Sequence, residues 1–474
     1  MTAMGEEAQV TVSTGLLQGS IDQGVRRYLG IPYAAAPFGE NRFRAPQAAT
    51  AWDGVREATD FGPTAPQLRY PGALGSLLGS VEIPGDDILT LNVWAPGRGG
   101  AAPVVVWIHG GAFERGTAAI PGYDGTAFAR DGIVFVSVNY RLGSEGFSVL
   151  DGVPLNLGLR DVAAALHWVH REIGAFGGDP AQITVMGESA GGSLVAALLA
   201  REDTRALTAG AIIQSAPLEA VSATKAGKVT RQLAKRLGVP ASRTGFAGRT
   251  PTELLDARRQ QSAGSSPLGG APGFRLALDA ASLPRSPHEV LAEISTPLLI
   301  GTNTDEYRLW FTPEALAGIT ELKLLLARLM LRIPQRAMAA YRVAWPGATT
   351  GELFGQIATD ILVRAPATRV ALARNGPTFM YEFAWESPVR ELRAAHAVEI
   401  GFVFDGLRTG AWRSLLGADP PQNLATEMHD AWVSFIHTGK PGWVPYGAGR
   451  AVQVFDTRSA AVPQRRTTPM DLLR

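Results

Sequence analysis

Six short apolar runs recur along this chain and limit the folds open to it: Val104–Ile108, Ile133–Val138, Ile183–Met186, Gly210–Ile213, Pro297–Gly301 and Phe379–Phe383. None keeps the strict apolar–polar alternation of a half-buried strand. Runs of this kind suit strands covered on both faces, the usual condition of a parallel sheet. Between them lie stretches with helical spacing. From Leu159 to Ile173 the apolar residues fall at 159, 162, 163, 166, 169 and 173, a period near that of a helix. Ser189 to Arg201 is small and apolar, suited to a helix that lies close on a sheet. The alternation predicts an α/β chain: a central, mostly parallel sheet flanked by helices, joined by right-handed crossovers.

Residues 8–35 read as short strands separated by turns. Pro71 to Asp87 reads as a loop, and so does the Gly-, Ser- and Pro-rich stretch Arg258 to Gly273. Two long excursions, 217–296 and 308–377, interrupt the strand–helix rhythm. Each holds helical segments, such as Leu322 to Ile333 with Lys323, Arg328 and Arg332 at its polar positions. There is no internal repeat. Residues 1–474 are therefore expected to form a single domain, with the excursions as cap or gorge regions over the active-site end of the sheet.

Composition removes whole classes of function. Hydrophobic residues are 46% of the 474 and charged residues 18%, enough to offset the entropy of ordering a large core. Positive and negative charges nearly cancel, at +1, and no basic run stands out, so nucleic acid is not an expected partner. The chain has no cysteine, which excludes disulfides, thiol nucleophiles and thiolate metal sites. Met1 to Val10 is polar, with Glu6 and Glu7 and no apolar stretch, so no signal peptide and a cytoplasmic location are expected. No apolar run reaches the ~18 residues needed to span a membrane.

The chemistry centres on Gly187-Glu188-Ser189-Ala190-Gly191. A G-x-S-x-G pentapeptide is weak on its own in so glycine-rich a chain. Here a strand-like run leads into it and a helical stretch leads out, the strand–turn–helix arrangement that lifts a serine above a sheet edge. A serine hydroxyl needs a base. Of the seven histidines, His167 and His170 lie on a predicted helix, and His288, His429 and His437 have bland helical readings. His109 leads Gly110-Gly111 after the Val104–Ile108 run, as in a glycine-rich turn whose N–H groups stabilise an oxyanion. His396 comes late, matching the chain order nucleophile, acid, base. The acid should follow a strand between Ser189 and His396. Asp305 and Glu306 both do so, and spacing does not separate them.

These motifs resemble those of the type-B carboxylesterases, the family of bacterial para-nitrobenzyl esterases and animal cholinesterases, over nearly the whole length. The resemblance is carried by Leu29–Ala34 with Arg42-Phe43, by Asp86–Leu89 with Leu91–Pro96, by His109–Phe113, by Asn139–Arg141, and by Phe176–Pro180 running through to Gly192. It implies an α/β-hydrolase fold and a serine hydrolase that cleaves carboxylic esters through an acyl-enzyme. It also implies a Ser189–His396–Glu306 triad, with Gly110, Gly111 and Ala190 as oxyanion donors. The carboxylates Glu188 and Glu399 resemble buried family positions that support the site, and read equally well as satisfied core acids. No metal and no organic cofactor is implied. Ala65 and Ile88 occupy the positions of an early disulfide of the animal members, and the stretch between them lacks the tryptophan of choline-selective members. Tyr307 stands where a glycine usually follows the acid, and Gly401 where proline is frequent.

Two other readings stay open. A catalytically silent relative, as among the family's adhesion proteins, typically lacks a triad member, and none is missing here. Amide or carbamate cleavage would use the same machinery. Phe113, Trp310 and Phe311 are candidate walls of an apolar pocket, which suits small, uncharged esters of short to medium acyl chains. A small-molecule ester is the expected partner, and the chain is expected to be a monomer or a weak homo-oligomer.

Overall fold

The structure is a computed structural model and describes residues 8–97, 100–262 and 273–473. It divides into two compact units. The first takes the chain up to Pro71, Gly79–Ile212 and Glu219–Val290; the second takes Gly72–Leu78, Ile213–Leu218 and the chain from Leu291 onward.

In the first unit, the strand Ala102–Ile108 runs parallel to both its neighbours, Val134–Val138 and Gly178–Glu188. Their apolar stretches are fully buried, as the unbroken runs required. Beyond Val134–Val138 the sheet turns antiparallel through Thr90–Pro96, Val25–Pro32 and Ser20–Asp22. Thr90–Pro96 is absent from the apolar runs because Thr90 and Asn92 interrupt it. Both are buried, and Asn92 is satisfied: Oδ1 accepts the Gly30 N–H at 2.9 Å and Nδ2 donates to Ser137 Oγ at 3.0 Å. A separate three-stranded sheet joins Gln9–Val12, Gly15–Gln18 and Val55–Glu57.

The helix foreseen from Leu159 spans Leu157–Glu172. Its buried Asp161 takes both arms of Arg141, Nη2 at 2.6 Å and Nε at 2.8 Å, which ties the helix to the loop after Val134–Val138. Two loop readings need correction. Pro71–Asp87 contains the helix Gly72–Leu77. Of the stretch 258–273, residues 258–262 belong to the helix Pro251–Ser262, and 263–272 lie outside the described residues. A reciprocal cap starts that helix, Thr250 Oγ1 accepting the Glu253 N–H while Glu253 Oε2 accepts the Thr250 N–H. Arg258 then anchors it to Glu114 at 2.6 Å.

In the second unit, Leu298–Asn303, Thr378–Phe383 and Ala451–Phe455 are parallel, and Ala460–Pro463 closes the edge antiparallel. The last two strands were not foreseen. Ala451–Phe455 is short and only partly covered, so it never forms a continuous apolar run. The helix Gln422–Thr438 lies against this sheet, with Trp432 on Tyr381 (centroids 5.0 Å) and Phe435 on Phe379 (6.3 Å). The excursion 308–377 is helical, ending in Thr350–Thr359 and Ala365–Ala373 joined by the wider turn Asp360–Arg364. Pro366 follows that turn and has no N–H to continue an ordinary ladder.

Candidate active site

Ser189 sits where the strand Gly178–Glu188 stops and the helix Ala190–Ala200 starts. Its backbone has φ 56° and ψ −122°, a conformation that costs a non-glycine residue about 1–3 kcal/mol. Glycine on either side makes the turn possible. A Cβ on Gly187 would lie 2.6 Å from the Gly191 backbone, and one on Gly191 would lie 2.0 Å from the Ile108 carbonyl oxygen. The end of Ala102–Ile108 and the first turn of the helix are therefore in backbone contact, which carries the next motif, His109-Gly110-Gly111, up to the serine.

Gly110 closes that approach: its missing Cβ would stand 3.2 Å from Ser189 Cβ and 2.6 Å from Glu188 Oε2. Among the described residues, the N–H groups of Gly110 and Gly111 meet no acceptor. The Ala190 N–H opens a helix, where the first donors have no partner within the helix. His109 is tied into this loop. Its Nδ1–H donates to the Gly110 oxygen at 2.8 Å, its ring stacks on Tyr140 at 4.6 Å, and the Tyr140 hydroxyl donates to the His109 oxygen. Burial lowers the His109 pKa to about 4, outweighing the Gly110 hydrogen bond, so the ring is neutral near pH 7.

In the second unit, the candidate acid follows the end of Leu298–Asn303. Glu306 Oε1 accepts the Asn303 N–H at 2.8 Å, and Glu306 Oε2 lies 2.6 Å from His396 Nδ1. Asp305, the competing carboxylate, points elsewhere: its Oδ1 accepts from Gln356 Nε2 at 2.7 Å, and burial raises its pKa. Glu399 is fully buried and receives Asn303 Nδ2 at 2.6 Å and Gln214 Nε2 at 3.2 Å. Asn303 also donates to the Ala395 oxygen at 2.7 Å, so this single side chain ties the acid's loop to the histidine's.

Arg364 holds the same loop from the other side, donating to the carbonyl oxygens of Asn303 (3.0 Å) and Thr304 (2.7 Å) while paired with Asp360. Glu382 accepts from Thr304 Oγ1 at 2.7 Å. Burial alone would raise the Glu382 carboxyl, but Arg466, Arg364 and Arg465 outweigh it and bring it to about 2. Sequence reading missed Asn303 and Arg364. Asn303 had one signal, a polar residue closing an apolar run just before the acid.

Residues 6–457 match the model of the carboxylesterase family. The para-nitrobenzyl esterase of Bacillus subtilis is 36% identical over 450 residues, covering 91% of this chain and 90% of that protein. A phenmedipham hydrolase of Pseudarthrobacter oxydans is 33% identical and covers 90% of each. Among solved structures, a Geobacillus stearothermophilus carboxylesterase superposes with a TM-score of 0.87 at 35% identity, over 98% of this chain and all of that one. This chain belongs to the carboxylesterase family.

The fold is therefore the α/β-hydrolase fold, and the reaction class is carboxylic ester hydrolysis. The departures from the family pattern have local accommodations. The Tyr307 ring fits because Gly355 leaves room, where a Cβ would come within 2.2 Å of it. Gly401 admits Trp412 and Leu416, which a Cβ would meet at 2.9 and 2.7 Å. Ala65 and Ile88, in place of the disulfide, are both buried as apolar filling.

The remaining histidines have surroundings of their own. His167 faces Asp203 at 3.3 Å on the surface, His288 Nδ1 meets Ser286 Oγ, and His429 Nδ1 donates to the Val403 oxygen. His170 and His437 are exposed. Trp310 lies 4.7 Å from the His396 ring, Phe311 meets Phe354 edge-on, and Phe113 lies against Phe147. Among the described residues no group of three His, Asp or Glu side chains is arranged to hold a metal ion, and no helix is long and apolar enough to cross a membrane.

Proposed function

We propose that this carboxylesterase works through Ser189, His396 and Glu306, on small uncharged esters of short to medium acyl chains. The observation that carries the reading is the 2.6 Å contact between His396 Nδ1 and Glu306 Oε2. A carboxylate accepts only, so the Nδ1 proton is fixed and Nε2 is left as the basic nitrogen. In the proposed cycle Nε2 takes the Ser189 proton as Oγ attacks the acyl carbon. Glu306 stabilises the imidazolium, which then protonates the leaving alcohol, and water repeats the sequence on the acyl-enzyme. The N–H groups of Gly110, Gly111 and Ala190 receive the oxyanion. One such donor is worth about 3–4 kcal/mol in transition-state stabilisation.

Neutral rings favour uncharged acyl groups: Phe113 lies against Phe147 in the first unit, and in the second Trp310 lies beside His396 and Phe311 against Phe354. Glu188 and Glu399 act through their neighbours, Glu188 beside Gly110 and Glu399 on Asn303. A fluorophosphonate should label the protein once, at Ser189, by peptide mass spectrometry; an adduct on any other residue removes Ser189 from the mechanism. A chain-length series of nitrophenyl esters should peak in kcat/KM at short or medium acyl groups. Matched ester, carbamate and anilide substrates should rank with the ester first.

A further inference from the structure

The helix Glu321–Met330 presents the wrong face to the protein by the usual rule. An amphipathic helix buries the stripe i, i+3, i+4, i+7, i+8. Here that stripe is Leu322, Leu325, Leu326, Leu329 and Met330, and all five are exposed, from 45% for Leu325 to 69% for Met330. The helix is instead held by Leu324 and Ala327 on its opposite side. Leu331 continues the apolar surface at 43% exposure. Almost half of the large exposed apolar side chains of the described residues thus fall within this one segment. A contiguous apolar surface of this kind marks a binding face.

Charge identifies what the face meets. Lys323 and Arg328 flank the stripe on either edge of the helix, and Arg332 and Arg336 follow at its end. Among the described residues none of these four has a carboxylate within ion-pair distance. The only acid on the helix, Glu321, is already taken by Arg342 at 2.8 Å. The whole chain carries only +1, so this is a local excess and not an overall basic character. An outward leucine stripe edged with basic groups that no carboxylate neutralises, Lys323 Nζ donating only to the Gly318 carbonyl oxygen at 2.7 Å, has the make-up of a helix that lies in a membrane interface. A second copy of the chain placing the same face here would bring like charges together.

We propose that the helix Glu321–Met330 docks this carboxylesterase on an anionic lipid surface, the leucines entering the acyl boundary and Lys323, Arg328, Arg332 and Arg336 meeting the headgroups. The purified full chain should co-sediment with vesicles of phosphatidylcholine containing about 30% phosphatidylserine, and much less with phosphatidylcholine alone. Binding should weaken as salt rises, because the headgroup attraction is screened. Each basic side chain contributes roughly fivefold in affinity, so Lys323→Gln with Arg336→Gln should lower vesicle binding about twenty-five-fold. Leu325→Glu with Leu329→Glu should abolish it. Both variants should keep wild-type turnover of a water-soluble nitrophenyl ester, which shows that they fold.

Absence of wild-type binding at low salt overturns the proposal. So does equal binding by the glutamine variant. A dimer in sedimentation equilibrium that Leu325→Glu with Leu329→Glu converts to monomer would assign the face to a second copy and overturn it as well.

Discussion

Around Ser189 the structure is built chiefly from close backbone contacts, with Glu188 the one buried carboxylate beside the serine, whereas around Glu306 it is built from a network of charges. On the serine side, glycines bring chain segments together so closely that a single methyl group at Gly110 or Gly191 has no room. The one titratable ring bracing the loop, His109, is held neutral by burial. On the acid side, the loop from Asn303 to Glu306 is gripped by Arg364, which is itself paired with Asp360, and by Glu382, which takes Arg465 and Arg466. The difference follows from the chemistry assigned to each side. A nucleophile and its oxyanion donors need exact placement of backbone N–H groups, which close packing supplies. A buried loop that carries an acid needs its carbonyl and carboxylate oxygens met by fixed donors and charged partners.

The comparison breaks most visibly if the chemistry is not where it has been placed. Ser189→Ala should lower kcat/KM for a nitrophenyl ester about a millionfold with little change in the unfolding midpoint, and a variant retaining wild-type rates would move the nucleophile elsewhere. Glu306→Gln should cost about ten-thousandfold, because the amide no longer favours the working tautomer or the imidazolium. Asp305→Asn should cost far less, since that side chain contacts Gln356 and not His396. Equal losses in the two variants would show that the acid has been assigned to the wrong neighbour.

Stability sharpens the contrast. Gly191→Ala should destabilise the fold by more than about 3 kcal/mol in denaturant titration, because the clash is with the Ile108 carbonyl and not with a side chain able to turn away. The two sides should also differ in acid. His109 has a folded pKa of about 4 against 6.5 unfolded, so the unfolded chain binds the proton first and stability falls as pH drops from 6.5 to 4, by about 3 kcal/mol in all. Glu382, at about 2 folded against 4.5 unfolded, contributes stability that is intact above pH 4.5 and lost as pH falls towards 2. His109→Phe should flatten the upper window and leave the lower one. A variant that flattened both, or neither, would remove the distinction drawn between the sides.

How much could be read in advance depended on whether the partners were near in sequence. The serine's turn was legible because its determinants are contiguous: an apolar run, two glycines and a small-residue helix between Ile183 and Arg201. Asp305 and Glu306 were not separable, because they follow the same strand and adjacent side chains leave it in different directions. Only the fold sends one to His396 and the other to Gln356. Arg364 was invisible for a related reason. It reaches Asn303 and Thr304 across about sixty residues, through a turn whose geometry depends on Pro366.

The sequence by itself determined the alternation of strand and helix, the elbow at Ser189 and the family motifs, since each rests on residues a few positions apart whose conformational preferences act locally. Only the tertiary structure decided which carboxylate meets the imidazole, which arginine supports it, and which side of Glu321–Met330 faces out. The leucine stripe of that helix is plain in the sequence, and periodicity alone assigns it to the interior. Burying Leu324 and Ala327 instead is a choice made by the surface the helix lies on, and local preference carries no information about that surface.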